Sequence, residues 1–245
     1  MTARTRLAMA LRCMCLQATW NYERQQGLGF AWALQPALER LVADRAARLE
    51  RLAAHTAYFN TQPTLASLAV GATAALEARR AAGEADDASL ARVKAALGSS
   101  LAALGDRLFW FTLRPVAALG GLLLAVDGRW EGALVLVACY NGLHLGVRVL
   151  GVGWGWRRGP AVLDEAFRRR VERLVRGLAV LGCAAVGVLV AMLLVPVAGM
   201  RPVVFQAALA AGLGVGFVTA QRARPSPTEW ALGVGTLCVL ATWFR

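Results

Sequence analysis

The chain has 245 residues, of which 58% are hydrophobic and 17% charged, with a mean hydropathy of +0.50. Soluble domains carry about a quarter charged residues, so this composition points to an integral membrane protein. The formal net charge of +12 comes from arginine, Lys94 being the only lysine. With no aromatic-interleaved basic stripe beside it, the charge argues against nucleic-acid binding and for arginines that flank membrane spans.

The first expected element is a short amphipathic helix on the membrane surface, with Leu7, Leu11 and Met14 at helical spacing beside Arg4, Arg6 and Arg12. No uninterrupted apolar core precedes Trp20, so the stretch is a poor signal peptide and the N-terminus is expected in the cytoplasm. Residues 38–59 predict a second amphipathic helix. Leu38, Leu41, Val42, Leu49 and Leu52 form its apolar face, and Arg40, Asp44 and Arg48 offer pairs at (i, i+4). Pro63 to Leu76 is apolar but short of the ~20 residues that a span takes. Charge on both flanks favours a re-entrant segment, covered by protein or a watery cavity, over a buried helix abutting the membrane. Glu77 to Lys94 is expected as a solvated connection, with Gly83 as a helix stop and Asp86-Asp87 as a new N-cap.

Five spans follow, over 106–126, 132–151, 177–199, 202–220 and 230–244. The connection 152–176 holds seven arginines, Arg157 to Arg176, against Asp164, Glu165 and Glu172, and the positive-inside rule places it in the cytoplasm. The expected fold is an all-α integral membrane protein with about five transmembrane helices, N-terminal amphipathic helices and re-entrant segments. It divides into interfacial helices (1–59), a polar motif region (60–115) and a transmembrane region (116–245).

No catalytic constellation is evident. The five cysteines (Cys13, Cys15, Cys139, Cys183 and Cys238) are odd in number and three lie in apolar runs, so no disulfide framework is implied. Cys13-Met14-Cys15 lacks partners at metal-ligand spacing, and no metal or cofactor is expected. His55 and His144 stand apart from any nucleophile or paired acid, His144 reading as a packed, hydrogen-bonded residue. The glycines at 151–155 do not form a phosphate-cradling loop. The chain acting alone is not read as an enzyme.

Several segments are oddly polar for their setting: Gln17 to Phe30, His55 to Pro63, and Gly105 to Pro115. They resemble the IID membrane subunit of the mannose/fructose/sorbose family of the bacterial sugar phosphotransferase system. Its Trp-Asn-(Phe/Tyr)-Glu-Arg-x-Gln stretch is met by Trp20 to Gln26 and on to Phe30. Its His-x-x-(Phe)-Phe-Asn-Thr-(Gln/His)-Pro stretch is met by His55 to Pro63, and its Thr-x-Ala-Leu-Glu-x-x-(Arg) stretch by Thr73 to Arg80. Its Gly-Asp-x-x-Phe-Trp-x-Thr-x-Arg-Pro stretch is met by Gly105 to Pro115, and a later pattern by Asn141, His144, Arg148, Gly151 and Gly155.

The resemblance implies a multi-pass protein of the bacterial inner membrane, a hetero-oligomer that forms the sugar-translocating unit with a IIC subunit. It implies IIA and IIB partners that carry the phosphoryl group, a mannose-type hexose or amino sugar as substrate, and no phosphorylated histidine in this chain. A sugar needs amides, carboxylates and an aromatic face in a preformed pocket. Asn21, Glu23, Asn60, Gln62, Asp106, Trp110 and Asn141 are the candidates for substrate binding or translocation. Trp20, Arg24, His55, Lys94 and Arg114 are candidates for structural or interface roles. If 106–114 is helical, Asp106 and Arg114 lie ~12 Å apart, too far to pair directly. The chain departs from the family at Ala96, Ser99-Ser100 (for Gly-Pro), Ala103 and Arg107. These departures motivate an alternative, a non-transporting regulatory or scaffold member.

Overall fold

The computed structural model describes residues 1–193 and scattered positions between 203 and 216. The spans expected over 202–220 and 230–244, and the end of 177–199, lie outside the described residues or nearly so. Two compact units are formed, one from Met1–Leu113 with Val137–Leu174, the other from Arg114–Leu136 with the chain from Val175 onward.

In the first unit, α1 (Ala3–Met14) starts at Thr2, whose hydroxyl accepts the Thr5 amide. Met9, Ala10 and Cys13 are buried, while Leu7 and Leu11 stay more than half exposed. The helix therefore has one face in the protein and leaves Leu7 and Leu11 open. α2 (Gly27–Leu41) buries Phe30, Leu34 and Leu38 at fourfold spacing.

The single helix expected over 38–59 is two helices. Leu38 and Leu41 end α2, Val42 is extended, and Asp44 caps α3 (Arg45–His55) by accepting the Ala47 amide at 2.7 Å. Asp44 is thus a cap rather than a partner of Arg40 or Arg48. Its side chain satisfies an orphan helix-end donor, which an exposed (i, i+4) pair could not offset.

α4 (Ala66–Ala81) is buried from Ala66 through Ala74. A Cβ on Gly71 would overlap the Val152 carbonyl oxygen, and one on Gly155 the Leu68 carbonyl oxygen, so α4 and α7 (Glu131–Arg158) cross with their backbones in contact. Gly83, with φ +77, stops α4 after Ala82, and Asp86 caps α5 (Asp87–Gly105) through the Ser89 amide. The solvated connection expected over 77–94 is in fact only the turn around 82–86. Glu77 and Lys94, at its two ends, are buried, because each finds partners in the fold.

α5 runs without a break into a π-helical stretch, Asp106–Leu113, and on into α6 (Arg114–Ala125), a continuous 39-residue helix. The span expected to begin at 106 is the second half of this helix. In the wide turns the Thr112 hydroxyl donates to the Arg107 carbonyl at 2.7 Å. Leu108, Phe109, Thr112 and Leu113 face inward and Trp110 and Phe111 outward. Such insertions recur at functional positions. The arginine-rich connection expected over 152–176 is also shorter. α7 continues to Arg158, a 3-10 turn covers Gly159–Leu163, and α8 (Glu165–Leu193) begins directly after Asp164.

In the second unit α6 and the start of α7 form a tight hairpin. Gly128 takes φ +74 in the turn, and the Gly121 and Gly132 backbones touch. Among the described residues three helical stretches are long and apolar enough to cross a membrane: Asp87–Ala125, Glu131–Leu163 and Glu165–Val190. The described chain is an all-α membrane fold.

Candidate functional site

The polar motifs meet in the first unit as two interlocked loops. The Asn21 side-chain oxygen accepts the Glu23 and Arg24 amides (3.1 and 2.8 Å), and Asn21 pairs through its backbone with Gln25, which takes φ +52. An Asx turn of this kind tolerates the left-handed residue. The next residue, Gln26, is buried and bonds the second loop twice: its amide donates to the Thr61 carbonyl at 2.7 Å and its oxygen accepts the Thr61 N–H at 3.0 Å. The Gln62 oxygen then accepts the Thr64 and Leu65 amides (2.7 and 3.2 Å) at the start of α4. Asn21 and Gln62 therefore shape the loops, whatever else they do.

Outside these loops the side chains are open. Trp20 and Tyr22 meet edge to face, Tyr22 and Tyr58 are well exposed, and Asn60 and Glu23 face solvent. Arg24 donates to the Thr56 hydroxyl at 3.1 Å. Trp20, Asn21, Glu23, Arg24 and Asn60 thus share one loop surface.

Behind the loops lies a buried ion cluster. Oε1 of Glu77 accepts from Arg51 Nη2 and from His55 Nε2, both at 2.6 Å. Arg51 also binds Asp87, which binds Arg80. Lys94 donates to the His55 carbonyl at 2.9 Å and lies 4.6 Å from the Phe30 ring centre. Burial works against the charge on Glu77, but hydrogen bonds from His55 and Arg51 outweigh it and hold its carboxyl below the ordinary range. Burial pushes the His55 pKa down, only partly offset by the bond to Glu77. His55 is then a neutral imidazole donating Nε2–H, which clamps α3 to α4 while Lys94 ties in α5.

A third group sits where α4 begins. Gly105 packs on the Gln62 side chain, so closely that a Cβ there would strike it. The Thr64 hydroxyl bonds His144 Nδ1 at 2.8 Å, and the His144 ring stacks on Tyr140 and meets Phe109 edge on. Through these contacts the Gln62 loop, the π-helical stretch and the middle of α7 come together. Asp106 and Asn141 are chain neighbours of the touching residues, and both are partly exposed. Among the described residues the Asp106 carboxylate has no hydrogen-bond or ionic partner. Trp110 is exposed one turn on, and Arg114 opens α6, exposed, in the other unit.

Gln26, Arg51, Thr64, Glu77 and Arg148 hold this site together and are absent from the candidates named from sequence. Arg148 is buried and donates to the Cys13 and Met14 carbonyls, closing the end of α1. Gln26, Glu77 and Arg148 do lie within the matched motifs, which was the available signal; Arg51 and Thr64 lie in none. No cluster of three metal-ligating side chains occurs among the described residues.

A family model for the IID component of the mannose/fructose/sorbose family of the phosphotransferase system matches residues 1–209. The mannose-specific EIID component of Escherichia coli K12 is 37% identical over 182 residues, covering 74% of this chain and 64% of the relative. The sorbose-specific EIID component of Klebsiella pneumoniae is 36% identical over 185 residues, covering 75% and 68%. The chain thus spans just under two thirds of the length of the E. coli relative. A cryo-electron microscopy structure of the mannose transporter ManYZ with a microcin is similar over 99% of this chain and 96% of that one, at 27% identity and a TM-score of 0.62.

Proposed function

The chain belongs to the IID components of the mannose/fructose/sorbose phosphotransferase family, and from that premise we propose that it forms a sugar-translocating unit with a IIC subunit. IIA and IIB carriers supply the phosphoryl group, and the substrate is a mannose-type hexose or amino sugar. The N-terminus is cytoplasmic and the membrane is the bacterial inner membrane. α4 is a re-entrant element whose backbone is covered by protein, consistent with its burial.

The observation that carries this reading is Asp106. A carboxylate in a membrane-length helix is costly unless it has a task, and this one makes no hydrogen bond and no ion pair among the described residues. It opens a π-helical stretch next to the capped loop of Gln62. Asp106 accepts hydrogen bonds from the sugar hydroxyls or from IIC; Gln62, Trp110 and Asn141 flank the path. Asn21, Glu23 and Asn60 form the loop surface that receives substrate or partner.

Asp106→Asn keeps the shape and removes the charge. Loss of a charge-assisted hydrogen bond, ~1.5–3 kcal/mol, should cut uptake of labelled sugar by about tenfold or more in cells expressing all four components. The amount of protein, and of IIC purified with it, should not change. Parent-level uptake would remove Asp106 from the mechanism.

One observation favours the second reading, a non-transporting scaffold. α5 passes straight through Ser99 and Ser100, the Ser99 hydroxyl bonding back to the Ala95 and Ala96 carbonyls, and Arg107 is exposed beside Asp106. The family's Gly-Pro hinge is absent there. Uptake by the reconstituted IIC–IID pair over a panel of hexoses separates the two: any saturable uptake rejects the scaffold.

A further inference from the structure

We propose that the end of α7, the 3-10 turn and the start of α8 form a binding site for an anionic phospholipid headgroup. These elements enclose a cavity of about 480 Å³. Trp154, Arg157 and Arg158 project from one face of α7 at i, i+3 and i+4, and Phe167 and Arg170 from one face of α8. Buried Val162 of the turn and Leu68 of α4 complete the lining.

The charges in this cavity do not cancel. Arg158 is neutralised by Asp164 at 2.8 Å, whereas Arg157 and Arg170 have no acidic partner among the described residues. Two uncompensated guanidiniums beside apolar and aromatic walls fit a phosphodiester with a glycerol and the first acyl carbons beneath it. Guanidinium forks match phosphate oxygens, and Trp154, 43% exposed, has the ring that favours the headgroup layer. The place in the fold agrees. α7 is long and apolar enough to cross a membrane, leaves Val149 and Leu150 uncovered just before the cavity, and ends there. Basic pockets between helices at such a boundary are recognised sites for acidic lipid headgroups.

The inference rests on the membrane reading of the chain and not on sugar transport, so its test leaves uptake aside. Native mass spectrometry of the detergent-purified chain with its IIC partner, titrated with phosphatidylglycerol or phosphatidylcholine, reads the bound lipid directly. Phosphatidylglycerol should bind in preference. Arg157→Gln with Arg170→Gln should weaken it about tenfold or more, at about 1 kcal/mol per arginine near an anionic lipid. Arg169→Gln with Arg173→Gln, which removes the same charge outside the cavity, should leave it within about twofold. Equal loss in both pairs, equal binding of the two lipids, or no lipid bound to the complex would overturn the proposal. So would inorganic phosphate at millimolar concentration displacing the lipid, which marks a free-anion site, or loss of IIB binding in place of lipid in the cavity variant, which marks a protein dock. Gel filtration and helical circular dichroism identify a misfolded pair, and Arg170→Lys, keeping charge without the fork, should then restore part of the preference.

Discussion

Glu77→Gln is expected to destabilise the protein by ~1–3 kcal/mol, the cost of removing the acceptor that buried donors of Arg51 and His55 share. Arg51 Nη2 and Nε and His55 Nε2 all donate to a single oxygen of Glu77, which is 1% exposed, and Lys94 lies within the same packed region. The glutamine can still accept from His55, but it leaves Arg51 with Asp87, at the exposed edge of the cluster, as its ionic partner. The check is the temperature at which the purified protein loses its monodisperse gel-filtration peak, which should fall markedly. Pairing the change with Arg51→Met removes both charges and should recover much of the loss, since replacing both members of a buried pair by apolar groups is often close to neutral. A single variant as stable as the parent would show that the cluster carries no net charge balance.

The same cluster makes stability depend on pH in a defined direction. His55 titrates below its ordinary value of 6.5 in the fold. As pH falls through that value, the unfolded chain takes up a proton that the folded chain does not. Stability is therefore full above about pH 6.5 and declines as pH drops toward the lowered folded value. Glu77 acts with the same sign in a lower window. Its folded pKa lies below the ordinary 4.5, so its contribution is lost only as pH falls further. His55→Gln, which keeps a donor for Glu77, should flatten the upper part of this decline and leave the lower part. A parent curve flat between pH 7.5 and 5.5 would contradict a buried neutral imidazole.

Helical periodicity recovered α1, and hydropathy the apolar parts of the long helices, because those signals lie within one element; the starts at Asp87 and Glu165, against the expected 106 and 177, were missed. It failed where a residue's partner lies far along the chain. Arg51 and Glu77 are 26 positions apart, Lys94 and the His55 carbonyl 39, and a single helix's pattern cannot show that they meet. The division of 38–59 was hidden for a related reason, since Asp44 suits an (i, i+4) pair and an N-cap equally well. The arginines of 157–176 read as a loop because charge outweighed helix propensity, yet arginine is a good helix former and most of that stretch is helical. The motifs fared better than the periodicity. They brought Trp20 to Phe30 and His55 to Pro63 forward as separate stretches, and these two segments interlock through Gln26 and Thr61.

Gly71→Ala should be costly for a single methyl group, because what it meets is backbone. The added carbon would overlap the Val152 carbonyl oxygen, and α7 places two further glycines at the same crossing, Gly151 against Ser67 and Gly155 against Leu68. A side chain there could turn aside; a carbonyl cannot without moving its helix. The two helices would have to separate along the crossing and forfeit dispersion contacts on both sides. Losses above ~4 kcal/mol are exceptional for one substitution, and Gly71→Leu belongs in that class, with no folded protein expected in the membrane fraction. Gly71→Ala should be recovered in reduced yield with a lowered melting temperature. Gly142 and Gly146, on the same helix, have nothing within 4 Å of an added carbon. Replacing either by Ala should be neutral or raise stability by up to ~1 kcal/mol through helix propensity alone. The three variants, made and heated side by side, separate backbone contact from propensity, and equal stability of Gly71→Ala and Gly142→Ala would show that α4 and α7 do not touch.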